Sequence, residues 1–356
     1  MTGDTYRTAL RKPLSLSGLC RLVVFLGVFL APVLASAADS AVILIYHRFG
    51  DERYPSTNVT TEQLEAHIRE LTSGPYHVLP VKDIIAAFRA GTPLPDRTVG
   101  ITVDDAYASV YKVAYPRFRA AGLPFTLFVA TEPVDAQDGD FMSWDQIREM
   151  LGNGVDVGNH TVSHLHMIGR AESQNLAEIE TAQKRLTDEL GVAPTLFAYP
   201  YGEFGAPEVS LVERQGFAAA FAQYSGVAHA GSQLYMLPRF AMNENYADAS
   251  RFKLIVNALP IPAREFVPAN PVLSAGPSDG NPPAFGFTLM GNVGSLKTLT
   301  CYPSHMEKPA TIEVLGSTRV EVRFDKPFPE GRSRINCTMP GPDGRWRWLG
   351  RPFFVQ

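Results

Sequence analysis

Val99-Gly100-Ile101-Thr102-Val103-Asp104, followed at once by Asp105, decides how the chain up to about residue 240 is read. The run is short, β-branched and apolar on both faces, as a parallel strand covered by helices should be, and it ends in two adjacent carboxylates. Runs of the same kind recur on either side of it, at Val42–His47, Phe125–Ala130, Val155–His160, Thr195–Tyr199 and Phe217–Phe221. Helical signals fall between them. Thr60 and Gln63 stand at capping-box spacing, Ser143 and Gln146 repeat that signature ahead of Ile147, Met150 and Leu151, and the stretch from Ala171 to Leu190 stops at Gly191. Repeated strand–helix units predict an α/β fold, either a barrel or an open parallel sheet.

After residue 258 the character changes. The Pro-, Ala-, Ser- and Gly-rich stretch over residues 259–283 reads as a linker. Beyond it, over residues 284–356, short alternating runs separated by Gly and Pro predict a small all-β, sandwich-like domain. At the other end, Arg11, Lys12 and Arg21 precede the apolar run Leu22–Leu34 and the small-residue exit Ala35-Ser36-Ala37. That order predicts a secretory signal over residues 1–37, too short in its apolar part to span a membrane, and an exported protein, periplasmic or secreted. The first domain then runs over residues 38–258. Loss of the signal removes four basic residues and one acidic, moving the formal charge from −4 to −7. There is no basic footprint for nucleic acid. Cys301 and Cys337 remain as an even pair in an oxidising compartment and are expected to be joined. Oligomeric state is not legible.

Chemistry is concentrated at strand ends, the edge that collects catalytic groups in α/β barrels. Of two adjacent carboxylates, Asp104 and Asp105, one can bind a cation while the other takes a proton. Taken alone, the pair is more commonly a solvated turn or a helix cap. His160 and His164, four apart, can converge on one ion if their turn is helical, although paired surface histidines are an equal reading. With an aspartate they make two nitrogens and one oxygen, a set suited to zinc with a position left open for water. A third cluster, Phe197-Ala198-Tyr199-Pro200-Tyr201-Gly202, is an unremarkable strand exit by itself.

In this order and spacing the three clusters resemble those of the NodB-homology polysaccharide deacetylases, carbohydrate esterase family four. The motifs read Val103-Asp104-Asp105, His160-Thr161-Val162-Ser163-His164 and Ala198-Tyr199-Pro200-Tyr201, and Tyr46-His47-Arg48-Phe49 is similar to the start of the poly-N-acetylglucosamine deacetylase branch. The resemblance covers residues 41–240. It implies a distorted (β/α) barrel with fewer than eight strands, a divalent metal (zinc first) on Asp105, His160 and His164, and Asp104 as general base toward a metal-activated water. It also implies that the backbone N–H of Tyr201 helps hold the oxyanion, and that the partner is an N-acetylated polysaccharide.

Two family features are missing. The arginine expected two residues before Pro200 is Ala198, and Arg239 in Leu237-Pro238-Arg239-Phe240 is the candidate replacement. The late L-x-H segment that supplies the acid is not recognisable, which leaves His47 as candidate donor. Trp144 is a candidate sugar-stacking side chain, although a core position is the commoner role for such a tryptophan. Two other functions remain open: a carbohydrate O-acetyl esterase, whose leaving group needs less help from an acid, and a catalytically weakened glycan-binding protein.

Overall fold

The computed structural model describes residues 37–276 and 280–356, together with Met1, Gly3, Thr5, Thr8 and Ala9. The expected signal lies outside the described residues apart from those isolated positions and Ala37, and Cys20 lies outside them too. Among the described residues no helix is long and apolar enough to cross a membrane.

The apolar runs form a parallel wall. Its strands stand in the order Ala219–Phe221, Leu196–Ala198, Asp156–Asn159, Thr126–Val129, Thr98–Asp104 and Ser40–Tyr46. The two edges meet through an irregular segment. On one side Leu237 N–H donates to Ala220 O at 3.0 Å and Ala222 N–H to Leu237 O at 2.9 Å. On the other, Phe240–Ala241 pairs in parallel with Leu44 and Ile45 of the first strand. The sheet is therefore a distorted (β/α) barrel, closed by residues 237–241 rather than by further regular strands. Closure by this segment carries Arg239 into the barrel.

Side chains alternate across each strand, so one residue set packs outward and the other fills the interior. Val99, Ile101 and Val103 are fully buried outward, in one cluster with residues of the helices Thr61–Ser73 and Trp144–Gly152. Gly100, Thr102 and Asp104 take the inner face. A Cβ on Gly100 would lie 3.0 Å from Val81 and 3.1 Å from Ile84, so glycine lets the helix Val81–Ala90 pack against the strand. Both sequence-read capping boxes are formed, Thr60 with Gln63 and Ser143 with Gln146.

Residues 259–356 build two packed sheets. One contains Thr300–Pro303, Gly331–Pro340 and Trp346–Val355, and the other Ala263–Val267, Phe285–Leu289, Arg319–Arg323 and Thr311–Leu315. Here the structure differs from the sequence reading. The stretch expected to be a linker supplies strands: Leu259–Pro260 and Val272–Leu273 pair in parallel with Trp346–Val355, and Ala263–Val267 pairs with Phe285–Leu289. Prolines masked this, yet at a sheet edge a missing N–H costs no ladder bond. The sandwich docks tightly on the barrel. The Trp348 ring meets Phe240 edge-on at 5.2 Å, Arg345 binds Asp96 at 2.8 Å, and a Cβ on Gly350 would stand 1.8 Å from the Ser225 carbonyl oxygen.

Cys301 and Cys337 face each other in register on adjacent strands and are joined by a disulfide, as expected. It closes a loop of 36 residues in a domain with a small core, where cross-linking the unfolded chain stabilises by about 3–4 kcal/mol. Replacing both cysteines by serine should lower the unfolding free energy by about 2–4 kcal/mol in a denaturant titration. An unchanged midpoint would show that the bridge contributes nothing.

Candidate metal and catalytic centre

Asp104 is the last residue of its strand, points inward and is buried. Its two oxygens receive the guanidinium of Arg239 face on: Nη1 to Oδ1 at 2.7 Å and Nη2 to Oδ2 at 2.8 Å. Arg239 also donates to Thr102 Oγ1 at 3.1 Å and to the Ala222 carbonyl at 2.9 Å. It is only 1% exposed, so each polar contact is made without competing water. Burial pushes the Asp104 carboxyl up, but the charge of Arg239 and its hydrogen bonds outweigh this, with help from His160, and hold it below the usual range.

Asp105 turns the other way. Its φ of 75° is left-handed, and its N–H is fixed by the Phe128 carbonyl at 3.0 Å. Thr161, His164 and Tyr201, with φ of 68°, 57° and 58°, share this unfavourable region, which costs non-glycine residues of order 1–3 kcal/mol each. Such backbone is kept where the surroundings over-determine it. Asn159 accepts from Thr161 N–H at 2.9 Å, and one oxygen of Glu178 accepts from Val162 and Ser163 N–H at 3.0 and 2.9 Å. The segment between the histidines is therefore an irregular loop and not the helical turn that their spacing suggested. They converge because Thr161 and His164 reverse the chain.

The result is a compact donor set. Asp105 Oδ1 lies 3.4 Å from His160 Nε2 and 3.2 Å from His164 Nε2, and no hydrogen-bond donor is aligned on that buried oxygen. Ligands about 2.0–2.1 Å from a tetrahedral ion stand about 3.4 Å apart, so these separations fit a zinc-sized cation. His160 Nδ1 is engaged by the Ala198 carbonyl at 2.7 Å, which fixes the ring and leaves Nε2 facing Asp105. Burial, and then the neighbouring His160, push His164 down to about 4. For His160 burial acts downward too, but the carboxylates of Asp105 and Asp104 reverse it and raise its pKa. Asp105 is held well below the carboxylate range, since the imidazoles around it outweigh the effect of burial. Oδ2 of Asp104 is 3.9 Å from His160 Nε2, next to the donor set but occupied by Arg239.

The remaining sequence candidates, and His166 beside them, fall as follows. His47 is half-buried at the end of the first strand; burial lowers its pKa against the pull of Asp105 and Asp104. Tyr201 borders the site, its ring 4.4 Å from that of His164. His166 is not in the donor set: it stacks on Tyr201 at 3.8 Å and binds Glu203 at 2.7 Å. Trp144 is a correction. It is 9% exposed within the outer core, its Nε1 donates to Asp135 at 2.7 Å and Arg185 covers its ring, so it offers no free face to a sugar. Glu178 was missed, because its helix gives no sign of the loop it braces.

Residues 91–220 match the family described as polysaccharide deacetylase. A poly-beta-1,6-N-acetyl-D-glucosamine N-deacetylase of Escherichia coli strain K12 is 29% identical over 55% of this chain, which spans 35% of that longer protein. The enzyme of the same name from Staphylococcus aureus strain MSSA476 is 23% identical over 58% of this chain and 80% of its own length. In fold, the chain is similar to IcaB from Ammonifex degensii, with a TM-score of 0.54 and 25% identity over 60% of this chain and 97% of that one.

The buried pair gives a signed expectation. Asp104 is depressed in the folded state, so its pairing stabilises fully above the unfolded value near pH 4 and is lost as pH falls through the folded value. Arg239→Met leaves the carboxylate buried and unpaired, which should cost about 3–5 kcal/mol at neutral pH. In that variant the largest downward pull on Asp104 is gone and only His160 and His47 still oppose burial, so the stability lost on mild acidification should be smaller than in the parent. Parallel pH-dependent melts check the sign.

Proposed function

We propose that the protein hydrolyses N-acetyl groups on an extracytoplasmic polysaccharide whose reactive unit is an N-acetylated hexosamine, with a divalent metal, zinc first, held by Asp105, His160 and His164. The observation that carries this reading is the division of labour between neighbours. Asp105 presents an unpartnered buried oxygen to two imidazoles, while Asp104 is held apart by Arg239. The metal, when bound, supplies Lewis acidity that polarises the acetyl carbonyl and acidifies water.

The chain's own groups do the rest. Asp104, ionised and buried beside the donor set, accepts the proton of the attacking water at Oδ2. Arg239 keeps that carboxylate charged and oriented, which sets the lower pH at which it works as a base. In this reading the N–H of Tyr201 receives the developing oxyanion. His47 is the candidate donor to the leaving amine. Its lowered pKa makes it neutral at rest, so it would act only after receiving a proton within the cycle. That same observation favours an O-acetyl esterase as second reading, because an alkoxide leaves with less acid assistance than an amine.

Acetate release from N-acetylglucosamine oligomers and from O-acetylated glycans, with metal-stripped and reconstituted protein, tests the proposal. Stripping should abolish release and zinc should restore it. Asp104→Asn should lower kcat by about 10²–10⁴-fold with metal content unchanged. Release from O-acetylated glycans alone would replace the amide reading by the ester one, and release by stripped protein would reject the metal.

A further inference from the structure

Beside the donor set the barrel and the sandwich enclose a cleft of about 540 Å³. It does not include the proposed metal ligands. It begins at Tyr201, whose ring touches His164, and runs outward between the two domains. The far wall is the outer face of the strand Gly331–Pro340. There the period of two puts Arg332, Arg334 and Asn336 on one side, while Ser333, Ile335 and Cys337 are buried in the sandwich. Arg332 reaches the catalytic rim itself: it donates to the Tyr201 carbonyl at 3.0 Å and lies 3.4 Å from Glu203.

The charges in this cleft are one-sided. The only carboxylate lining it is Glu203, against Arg239, Arg251, Arg332 and Arg334. Arg239 is committed to Asp104 and Arg332 to Glu203. Arg251 donates to the Tyr246 carbonyl, and among the described residues neither it nor Arg334 has a carboxylate within ion-pairing distance. Burial lowers the Arg251 pKa, Asp248 and Tyr246 pull it back up, and the nearby Arg334 adds a smaller push down. In a chain whose formal charge is −4, two arginines without an ion-pair partner lining a cleft next to the reaction centre make it suited to an anionic ligand. A polymer that gains an ammonium group at each turnover does not supply one.

We infer that the cleft between barrel and sandwich is a subsite for a carboxylate-bearing sugar neighbouring the N-acetylated unit, held by Arg334 and Arg251, so that the preferred polymer is acidic. Planar guanidiniums match a carboxylate by paired N–H donors, and their field draws an acidic chain along the groove toward Tyr201. The inference rests on the deacetylase reading for its reacting unit, but not for its binding chemistry.

The test measures binding and acetate release side by side on full-length protein. The probes are neutral N-acetylglucosamine oligomers, oligomers alternating N-acetylglucosamine with a uronate, the same oligomers methyl-esterified at the carboxylate, and a phosphate-substituted oligomer. The uronate oligomer should bind at least tenfold tighter than its ester, and the ratio should shrink as salt rises. Arg334→Gln, on an exposed position, should bring the ratio close to one, and Arg251→Gln should act in the same direction. Equal binding of uronate and ester, or a ratio unmoved by Arg334→Gln, overturns the subsite. Preference for the phosphate oligomer overturns the carboxylate assignment. Arg334-dependent binding of the uronate with no acetate release from any oligomer would leave the subsite standing and reject the deacetylase reading instead.

Discussion

The bidentate pair between Asp104 and Arg239 is the interaction on which the rest of the centre depends. Two adjacent aspartates at a strand end would ordinarily compete for the same proton or the same cation. Arg239 removes that degeneracy by taking both oxygens of one of them, inside the barrel and shielded from water. Asp105 is then turned outward by its left-handed backbone onto His160 and His164. The same arginine belongs to the segment that closes the barrel, so closure and the charge state of Asp104 are one structural event.

Much of this was legible in the sequence where a residue's local pattern decides its place. Runs such as Val99–Asp104 became strands because β-branched residues apolar on both faces can only be satisfied between helix layers. Thr60–Gln63 and Ser143–Gln146 became helix starts because a cap is a contact over three residues. What was not legible depended on distant partners. The loop from His160 to His164 owes its shape to Asn159 and Glu178, and the helix bearing Glu178 follows well after the loop it binds. Trp144 looks the same in sequence whether it faces sugar or core, and Asp135 with Arg185 decided for the core. Prolines between residues 259 and 283 imitated a linker because edge strands tolerate them.

The second domain is part of the centre's surroundings and not an appendage. It meets the barrel through Trp348 on Phe240, Arg345 on Asp96 and the close approach at Gly350, and it sends Arg332 to the loop carrying Tyr201. A barrel alone would leave that side of the site open to solvent. With the sandwich in place the cleft beside the donor set has two walls, one of them lined by arginines from an alternating strand.

Anomalous diffraction at the zinc edge from zinc-loaded crystals tests the central claim most directly. The account predicts one peak about 2.0–2.2 Å from an Asp105 oxygen, His160 Nε2 and His164 Nε2, with Asp104 still paired to Arg239 and outside bonding distance. A peak coordinated by Asp104, or one that leaves Asp105 unbound, would contradict it.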